Sequence, residues 1–389
     1  MIAEFMSWTN VALFGCLFAG HAALWIALVN RLHSQPWLPQ TLKLIRHFHD
    51  AVLVLFPLAA IWFVGLHGPR LLYGGGWNEL NEFWTVVFAV CAAGCVWLCF
   101  RSLFRLYDRF HELSVKHATH VYNIAAELGH LPAQPGPYSS LIRIPRNQQF
   151  QLECNEKHFF FPHLPAGWEG MSILHLSDFH YLGTITQEYY SQVLEKATRQ
   201  PADLLCFTGD LIDNMKLLSW IPATLGQYHG TLGSYFILGN HDWYQDPLQV
   251  RQTLSDCGWT DLGSRNESLC FHGARLLIGG DETPWMGDHP DMSPPADFRL
   301  LLSHTPDNIR WACRQNVQLM LSGHNHGGQV QLPLIGPIYS PSRYGCRFAS
   351  GTFQLHPTLL HVSRGLAGQH PLRWNCRPEI TRIVLHRKP

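Results

Sequence analysis

The sequence carries little charge and no excess of either sign. Charged residues make up 14% of the 389 residues, and 28 basic residues face 28 acidic ones, so the formal net charge is +0. A nucleic-acid-binding chain presents a basic surface to the phosphate backbone, so this composition argues against a nucleic-acid partner. The 11 cysteines include no CxxC pair and are odd in number, which does not fit a disulfide framework. We therefore expect reduced thiols on the cytosolic side of a membrane.

Charge is scarcest in the first hundred residues, where three apolar runs stand out. They cover residues 11–29, 51–66 and 83–100. A helix that crosses the hydrocarbon core needs roughly 20 apolar residues, with about 17 tolerated, and the first and third runs satisfy this length. The middle run is shorter and contains Pro57. A cleaved signal peptide is the alternative for the first run, but the residues before it include no Lys or Arg. We expect a bundle of about three transmembrane helices within residues 1–110.

The positions of the basic residues predict how these helices are oriented. Basic residues follow the first run (Arg31, Lys43, Arg46) and the third (Arg101, Arg105, Arg109), whereas Arg70 stands alone between the second and third, near Glu79 and Glu82. Short cytoplasmic loops are the ones enriched in Lys and Arg. The sequence therefore predicts an N-terminus outside the membrane and a cytoplasmic segment from residue 101 onward.

A helical pattern continues past the third run. Leu103, Leu106, Phe110 and Leu113 recur at spacings of three and four residues, as on one face of an amphipathic helix. The Pro- and Gly-rich stretch 131–137 ends this pattern. We therefore expect a juxtamembrane helix and linker over residues 111–154 and a separate domain over residues 155–389.

The second half of the chain alternates short apolar runs with helical segments. Five of the apolar runs end in polar motifs, namely SDFH, TGD, GNHD, SHTPD and GHNHGG. Strands mixed with helical segments predict a layered α/β fold. Sheets of this kind gather ligands at the carboxyl ends of their strands. The polar residues of the five motifs should therefore meet at one edge.

The residues expected at that edge are typical metal ligands. They are Asp178, His180, Asp210, Asn240, His304, His324 and His326, with His241 in addition. Carboxylate and imidazole groups together suit manganese, iron or zinc, and the absence of cysteine among them argues against a closed structural zinc site. The set is too large for one ion, and two ions about 3.5–4 Å apart promote in-line displacement at phosphorus. Each motif alone can be an ordinary turn, but five at strand ends favour a metal site.

These motifs resemble the five blocks of the calcineurin-like metallophosphoesterases, and the resemblance is greatest to the bacterial membrane-associated branch often called YkuE-like. It covers roughly residues 159–385 and includes VSRGLAGQHPLRWNCRPEI near the C-terminal end. One departure is GLAG at 365–368, where a further glycine is usual. The resemblance implies a layered α/β sandwich, a metal-dependent phosphoester hydrolase and a place in the bacterial inner (plasma) membrane. It does not cover the three apolar runs.

The resemblance also implies a ligand set for two divalent ions. One ion would be held by Asp178, His180, Asp210 and His326, and the other by Asp210, Asn240, His304 and His324, so that Asp210 bridges them. Manganese is the expected metal, with iron and zinc as alternatives. Gly323, Gly327 and Gly328 would let the backbone turn tightly enough for both histidines of GHNHGG to reach adjacent ions.

The hypothesis for the reaction is attack on phosphorus by a hydroxide that bridges the two ions. His241, which is not a ligand, would donate a proton to the leaving oxygen as general acid. Asp213 resembles the carboxylate that orients this histidine in related phosphatases, although a helix cap is an equal alternative, and Asp242 is the other candidate. Arg343 and Arg373 are candidate phosphate contacts because guanidinium groups suit bidentate recognition. Ordinary surface ion pairs explain both arginines equally well.

Three functions from different classes stay open at this point. The expected one is a membrane-anchored phosphodiesterase acting on a lipid or lipid-linked phosphoester, since tethering raises the effective substrate concentration. The second is a phosphodiesterase or phosphatase that acts on soluble nucleotides. The third is a non-catalytic, metal-binding membrane sensor, against which the unligated His241 argues. Trp285 and Met286, in a loop expected near the site, would contact an apolar or base moiety unless that loop packs only on itself.

Overall fold

The computed structural model describes residues 6–110 and 117–388. Within these residues the chain forms two compact units. One comprises the N-terminal helices and residues 333–336, and the other runs from the first strand to residue 332 and resumes at 337. The expected juxtamembrane position Leu113 lies outside the described residues.

Three long helices make up most of the N-terminal unit. They are α1 (Trp8–His33), α2 (Pro39–Ala60) and α3 (Glu82–Phe110), and a π-helical turn (Ile61–Leu66) continues α2. The segments Trp8–His33, Pro39–Leu66 and Glu82–Arg105 are long and apolar enough to cross a membrane. This confirms the prediction of three apolar helices. The second helix is longer than its apolar run, because the more polar residues before residue 51 are also helical.

Small residues bring two of these helices close together. Gly20 on α1 lies directly against the backbone of Cys91 on α3, and Gly94 lies against the backbone carbonyl of Gly20. A Cβ atom at either glycine would overlap these backbone atoms. Close approach at small residues is the usual way in which helices associate where no hydrophobic effect drives them together.

The second unit is built from short strands and helices. The strands of the described residues are β1 (His117–Asn123), β2 (Gln151–Phe161), β3 (Ser172–Leu176), β4 (Leu204–Thr208), β5 (Gly233–Ile237), β6 (Thr260–Asp261), β7 (Asn266–Phe271), β8 (Ala274–Asp281), β9 (Phe298–Ser303), β10 (Leu319–Ser322), β11 (Gln331–Leu332), β12 (Gly336–Pro337), β13 (Gly351–Leu355), β14 (Thr358–Val362) and β15 (Glu379–Arg387). The remaining helices are α4 (Ile124–Leu128), α5 (Gln187–Ala197), α6 (Trp220–Ala223), α7 (Asn240–Trp243), α8 (Pro247–Asp256) and α9 (Ile309–Arg314).

Two mixed sheets form the centre of this unit. The first has the order β1-β2-β15-β3-β4-β5-β6, and the second has the order β13-β14-β10-β9-β8-β7. Strands β3, β4, β5 and β6 are parallel neighbours, as are β8, β9, β10 and β14. Antiparallel pairs complete both sheets, namely β1–β2 and β15–β3 in the first and β7–β8 and β13–β14 in the second. The predicted α/β architecture is confirmed.

The sheets pack face to face, and helices cover their outer faces. Ile173, Ile237 and Leu302 belong to the apolar core between the sheets, whereas Leu174 and Phe207 pack on the helix-covered side of the first sheet. Successive side chains of a strand point to opposite faces, so a strand that is buried on both faces reads as a continuous apolar run. This explains why the strands before the polar motifs are mostly apolar.

The second unit begins earlier than the sequence suggests. Residue 155, the expected start of the catalytic domain, lies inside β2. Strand β1 pairs antiparallel with β2 from His117 opposite Lys157 to Asn123 opposite Gln151. The segment expected as a linker therefore supplies an edge strand, and it also contributes fully buried side chains to the core.

We predict that Leu302→Ala destabilises the second unit strongly, whereas Leu248→Ala does not. Leu302 is 0% exposed between the sheets, and Leu248 is 77% exposed at the start of α8. A buried Leu→Ala change costs about 2–5 kcal/mol of unfolding free energy, whereas surface changes stay within about 0.5 kcal/mol. Chemical denaturation of the full-length chain, followed by tryptophan fluorescence, measures both variants. Equal effects would contradict the two-sheet core.

Candidate metal centre

The predicted ligand residues lie where strands of the two sheets end. Asp178 and His180 follow β3, Asp210 follows β4 and Asn240 begins α7 just after β5. In the second sheet His304 directly follows β9, and His324 and His326 follow β10. Strands β3, β4 and β5 run parallel to one another, and so do β9 and β10, so within each sheet their carboxyl ends share an edge. The structure brings all seven predicted ligand residues together at that edge.

Most of these residues have an uncommon backbone conformation. The φ angles are 55° at Asp178, 50° at His180, 58° at Asp210, 68° at His324 and 49° at His326. For residues other than glycine this left-handed region costs of order 1–3 kcal/mol, and such strain concentrates at functional sites. Three loops, after β3, β4 and β10, thus adopt an unfavourable backbone conformation that directs these side chains inward. This supports a functional role for the edge.

The glycines of the GHNHGG motif have two different tasks. Gly327 and Gly328 adopt φ values of 63° and 76°, as expected for a tight turn. Gly323 instead allows close approach, because a Cβ there would overlap the side chains of Ser177 and Asp178. The motif therefore seats its histidines against the loop that follows β3.

The first cluster of ligand atoms comes from Asp178, His180, Asp210 and His326. One ligand atom from each lies within 4.8 Å of the others. His180 Nε2 is 3.5 Å from Asp210 Oδ2, and His326 Nε2 is 3.8 Å from Asp178 Oδ1. His180 Nε2 and Asp210 Oδ2 are buried and have no hydrogen-bond partner among the described residues. Buried polar atoms are normally paired, so their lone pairs fit a cation between them.

The second cluster contains two histidines whose protonation is set by backbone carbonyls. His304 Nδ1 is 2.7 Å from the carbonyl oxygen of Thr208, and His324 Nε2 is 2.9 Å from that of Pro341. A carbonyl only accepts hydrogen bonds, so both nitrogens must donate. In the neutral rings, His304 Nε2 and His324 Nδ1 then carry lone pairs.

These two lone pairs face each other and further acceptors. His324 Nδ1 is 3.1 Å from His304 Nε2, which is 3.1 Å from Asn240 Oδ1 and 3.4 Å from Asp210 Oδ2. Burial disfavours a charged His304, yet the negative charges of Asp210 and Asp178 raise the pKa of His304 to about 9. The arrangement thus attracts positive charge, which a proton or a metal ion can supply. The four residues fit a divalent cation, and Asp210 belongs to both clusters.

A third group joins the first cluster to His241. Asp213 accepts hydrogen bonds from His180 Nδ1 at 2.8 Å and from His241 Nδ1. The first bond leaves His180 Nε2 facing Asp210. Despite burial, which lowers the pKa of a histidine, Asp213 and Asp210 raise the pKa of His241 to about 10. Burial likewise opposes ionisation of Asp213, but the charges of His241 and His180 lower its pKa below the ordinary value.

Asp242 is engaged with backbone groups instead. Its carboxylate accepts hydrogen bonds from the N–H groups of Asp210 at 2.9 Å, Ile212 at 2.9 Å and Gly239 at 2.9 Å. These contacts tie the loop after β4 to the start of α7. Asp213, rather than Asp242, is therefore the carboxylate that contacts the His241 ring.

The two arginines considered for phosphate binding lie in different settings. Arg343 is exposed, and its Nε is 3.8 Å from Asp307 Oδ2, as in an ordinary surface ion pair. Arg373 is fully buried, and its guanidinium donates to the carbonyl oxygens of His326, Arg364 and Ala367. The structure does not bring Arg373 to the open side of the cluster, because both terminal nitrogens of its guanidinium donate to backbone carbonyls inside the fold.

Sequence reasoning underrated one neighbour of the second cluster. The ring of Trp285 lies 4.8 Å from the ring of His324 and 5.5 Å from that of His304, and its side chain is buried. The loop after β8 therefore covers the second cluster instead of packing only on itself. The expectation that this loop lies near the site came from its turn-forming residues, but nothing in the sequence identified the contact.

Comparison with known proteins agrees with the chemistry of these clusters. Residues 171–328 match the calcineurin-like phosphoesterase family. Over 235 residues the chain is 34% identical to the uncharacterized metallophosphoesterase YkuE of Bacillus subtilis, covering 57% of this chain and 81% of that protein. It is 28% identical to the phosphodiesterase YaeI of Escherichia coli over 220 residues, which cover 55% of this chain and 81% of that protein.

The name of a third relative describes a transmembrane protein. It is the transmembrane protein with metallophosphoesterase domain of Bos taurus, 28% identical over 251 residues that cover 58% of this chain and 55% of that protein. Together with the three apolar helices, this indicates a membrane protein. The described clusters can hold the metal pair that the family uses. The chain therefore belongs to the calcineurin-like metallophosphoesterase family and is a metal-dependent phosphoester hydrolase.

Proposed function

We propose that this chain is a membrane-anchored phosphodiesterase that uses two divalent ions to hydrolyse a lipid or lipid-linked phosphoester. The observation that carries the proposal is the pair of acceptor clusters that share Asp210. The name of the phosphodiesterase relative favours a diester, and the apolar helices in the same chain favour a substrate held in the bilayer. Manganese is the expected metal, because the ligands are oxygen and nitrogen atoms without thiolate.

The proposed ligand assignment follows the two clusters. Asp178, His180, Asp210 and His326 would hold one ion, and Asp210, Asn240, His304 and His324 the other. When bound, such a pair supplies Lewis-acid stabilisation of the phosphoryl group and lowers the pKa of a water nucleophile. The neutral amide of Asn240 limits the negative charge at the site, which lets an anionic phosphoester approach.

In this proposal His241 is the general acid. Its Nδ1 is held by Asp213, so Nε2 remains to deliver a proton to the leaving oxygen. Bound cations would lower the pKa of His241, and the negative charge of Asp213 raises it. Asp213 would therefore keep His241 protonated until the leaving oxygen develops charge, and it would also hold the ring orientation of His180.

A surface of the second unit supports a lipid substrate. It exposes three apolar side chains and two basic ones, namely Leu131, Tyr138, Ile144, Arg143 and Arg146. Residues 129–152 contain no Asp or Glu. Apolar side chains beside cationic ones are typical of surfaces that rest on anionic lipid headgroups. We call these five residues the apolar–basic surface.

Contacts link Tyr138 of this surface to the loop that carries His326. The ring of Tyr138 is 4.3 Å from the ring of His370, and Gln329 donates a hydrogen bond to the carbonyl oxygen of His370 at 2.8 Å. Gln329 is only three residues beyond His326. A phosphoester in the headgroup region would therefore reach the cluster while the apolar side chains contact the bilayer.

We propose that the second unit is cytoplasmic and that the membrane is the bacterial inner membrane. The basic residues after the first and third apolar runs support this orientation. All 11 cysteines are free thiols, in keeping with a reducing compartment.

Asp210→Asn is expected to abolish hydrolysis and most metal uptake, because one bridging carboxylate contributes to both clusters. Elemental analysis and turnover of a generic phosphodiester with Mn²⁺ measure the two effects in the full-length protein. The control is Asp256→Asn, which removes an exposed carboxylate at the end of α8. Unchanged turnover of the Asp210 variant with a full complement of metal would contradict the shared-ligand scheme.

His241→Gln is expected to slow diesters with poor leaving groups by about 10²–10⁴-fold, the usual contribution of a general acid. For diesters with an activated nitrophenolate leaving group, kcat should fall much less, because that group departs without a proton. Steady-state kcat for the two substrates gives the comparison, and the exposed His229→Gln serves as the control. Equal losses for both substrates would remove His241 from the role of general acid.

Replacing Leu131, Tyr138 and Ile144 together by Ser is expected to raise KM for a phospholipid in mixed micelles by about tenfold. Burying even one large apolar side chain is worth about 1.5 kcal/mol or more. KM for the deacylated diester with the same headgroup should not change. Leu248→Ser, at a remote exposed position, is the control. Equal changes for both substrates, or faster turnover of nucleotides than of either, would contradict the lipid proposal.

A further inference from the structure

A run of polar side chains crosses the apolar layer between the two sheets and ends at Asp178. Its members are Lys157 on β2, His361 on β14, His175 on β3, Thr208 at the end of β4 and Ser177 just after β3. Both histidines and both hydroxyl residues are almost completely buried. Polar groups in such a layer are costly unless each has a partner.

The members contact one another in sequence. The distances are 3.3 Å from Lys157 Nζ to His361 Nε2, 2.9 Å from His361 Nδ1 to His175 Nδ1, 3.0 Å from His175 Nε2 to Thr208 Oγ1 and 2.7 Å from Thr208 Oγ1 to Ser177 Oγ. Ser177 Oγ and Asp178 Oδ2 lie side by side, since both would overlap a Cβ at Gly323. Ser177 accepts the proton of Thr208, so its own hydroxyl proton is available to Asp178. We call this run the Lys157 chain.

The donor at every link of the Lys157 chain is fixed. Thr208 gives its one hydroxyl proton to Ser177, so it must accept from His175 Nε2–H. A neutral His175 then has its lone pair on Nδ1, and the facing nitrogen of His361 must carry a proton. His361 Nε2 is therefore an acceptor, which suits the ammonium of Lys157, a group that can only donate.

The charges at the two ends agree with this direction. Burial, together with the charge of Lys157 and against that of Glu379, lowers the pKa of His175 to about 3. Burial and the charge of Lys157 also lower the pKa of His361 well below its ordinary value. Both rings are therefore neutral, with one donor and one acceptor each. The chain runs from a group that only donates to a carboxylate that only accepts.

We infer that the Lys157 chain is a positioning device that keeps the hydroxyl of Ser177 donating to Asp178 and so orients that carboxylate toward the ion it would bind. This inference rests on the proposed function, because it takes Asp178 as a metal ligand. Partners behind a ligand commonly change metal affinity about 10–100-fold when they are removed. Lys157, on β2, would thus influence the ion only through the intervening side chains.

The alternative is that the chain merely satisfies buried polar groups and pins the two sheets together. Metal affinity separates the two views, measured by equilibrium dialysis of the full-length protein against Mn²⁺, with the thermal midpoint of each metal-free variant as a measure of stability. Thr208→Val interrupts the chain with a side chain of the same shape, and its backbone carbonyl still holds His304. Ser177→Ala is the second interruption, to be used should the valine variant fail to fold.

Thr208→Val is expected to weaken Mn²⁺ binding about tenfold. Lys157→Met should weaken it on the order of threefold in the otherwise native protein, because polarisation fades along the chain. In the Thr208→Val background Lys157→Met should have no further effect, since coupled groups are not additive. Lys196→Met is the control, because it removes a lysine that pairs with Glu127 outside the chain. Its Mn²⁺ affinity should equal that of the native protein.

Two results would overturn the inference. One is an equal effect of Lys157→Met in both backgrounds, which means that the lysine acts through space. The other is unchanged affinity in both single variants, which leaves the chain a structural pin. Asp178→Asn in the same assay keeps the proposed function separate. If the native protein and Asp178→Asn bind Mn²⁺ alike, the ligand assignment fails, whatever the Lys157 chain does.

Discussion

One electrostatic constraint governs the site. Nitrogen and oxygen atoms that carry lone pairs lie around the carboxylate of Asp210, and the site holds too few protons to offset their mutual repulsion. The Oδ2 atom of Asp210 has no hydrogen-bond partner within residues 6–110 and 117–388 and lies within 3.5 Å of nitrogen atoms of His180 and His304. Lone pairs that face one another in a buried site repel unless positive charge lies between them. Bound cations would relieve this repulsion. The chemistry of the site therefore favours metal binding independently of family membership.

The rest of the second unit prepares those lone pairs before any ion arrives. In three candidate ligands, the ring nitrogen that does not face the metal cluster donates a hydrogen bond. The acceptors are Asp213 for His180, the Thr208 carbonyl for His304 and the Pro341 carbonyl for His324. Such partners fix the tautomer and the ring orientation of metal-binding histidines. The left-handed backbone at Asp178, His180, Asp210, His324 and His326 serves the same end. Folding of the two sheets therefore stabilises an arrangement that would be unfavourable in isolation.

Much of this could be predicted from the sequence, because strand and helix periodicity and the placement of polar motifs after apolar runs are local signals. They identified the three apolar helices, the layered α/β fold and the residues that meet at the strand ends. Features that depend on contacts between distant segments could not be predicted from the sequence. Strand β1 has no apolar run of its own and is defined by pairing with β2. The segment predicted as a linker therefore contains a strand that its sequence does not indicate. The burial of Arg373 and the contact of Trp285 with His324 depend on segments far apart in sequence.

The central claim is that Asp210 joins two cations, and the magnetic coupling between two Mn²⁺ ions tests it most directly. Electron paramagnetic resonance of the full-length protein loaded with Mn²⁺ should show the spectrum of an exchange-coupled pair, because one carboxylate would bridge ions about 3.5–4 Å apart. The hyperfine-split signal of isolated Mn²⁺ at full loading, with no coupled component, would contradict the account.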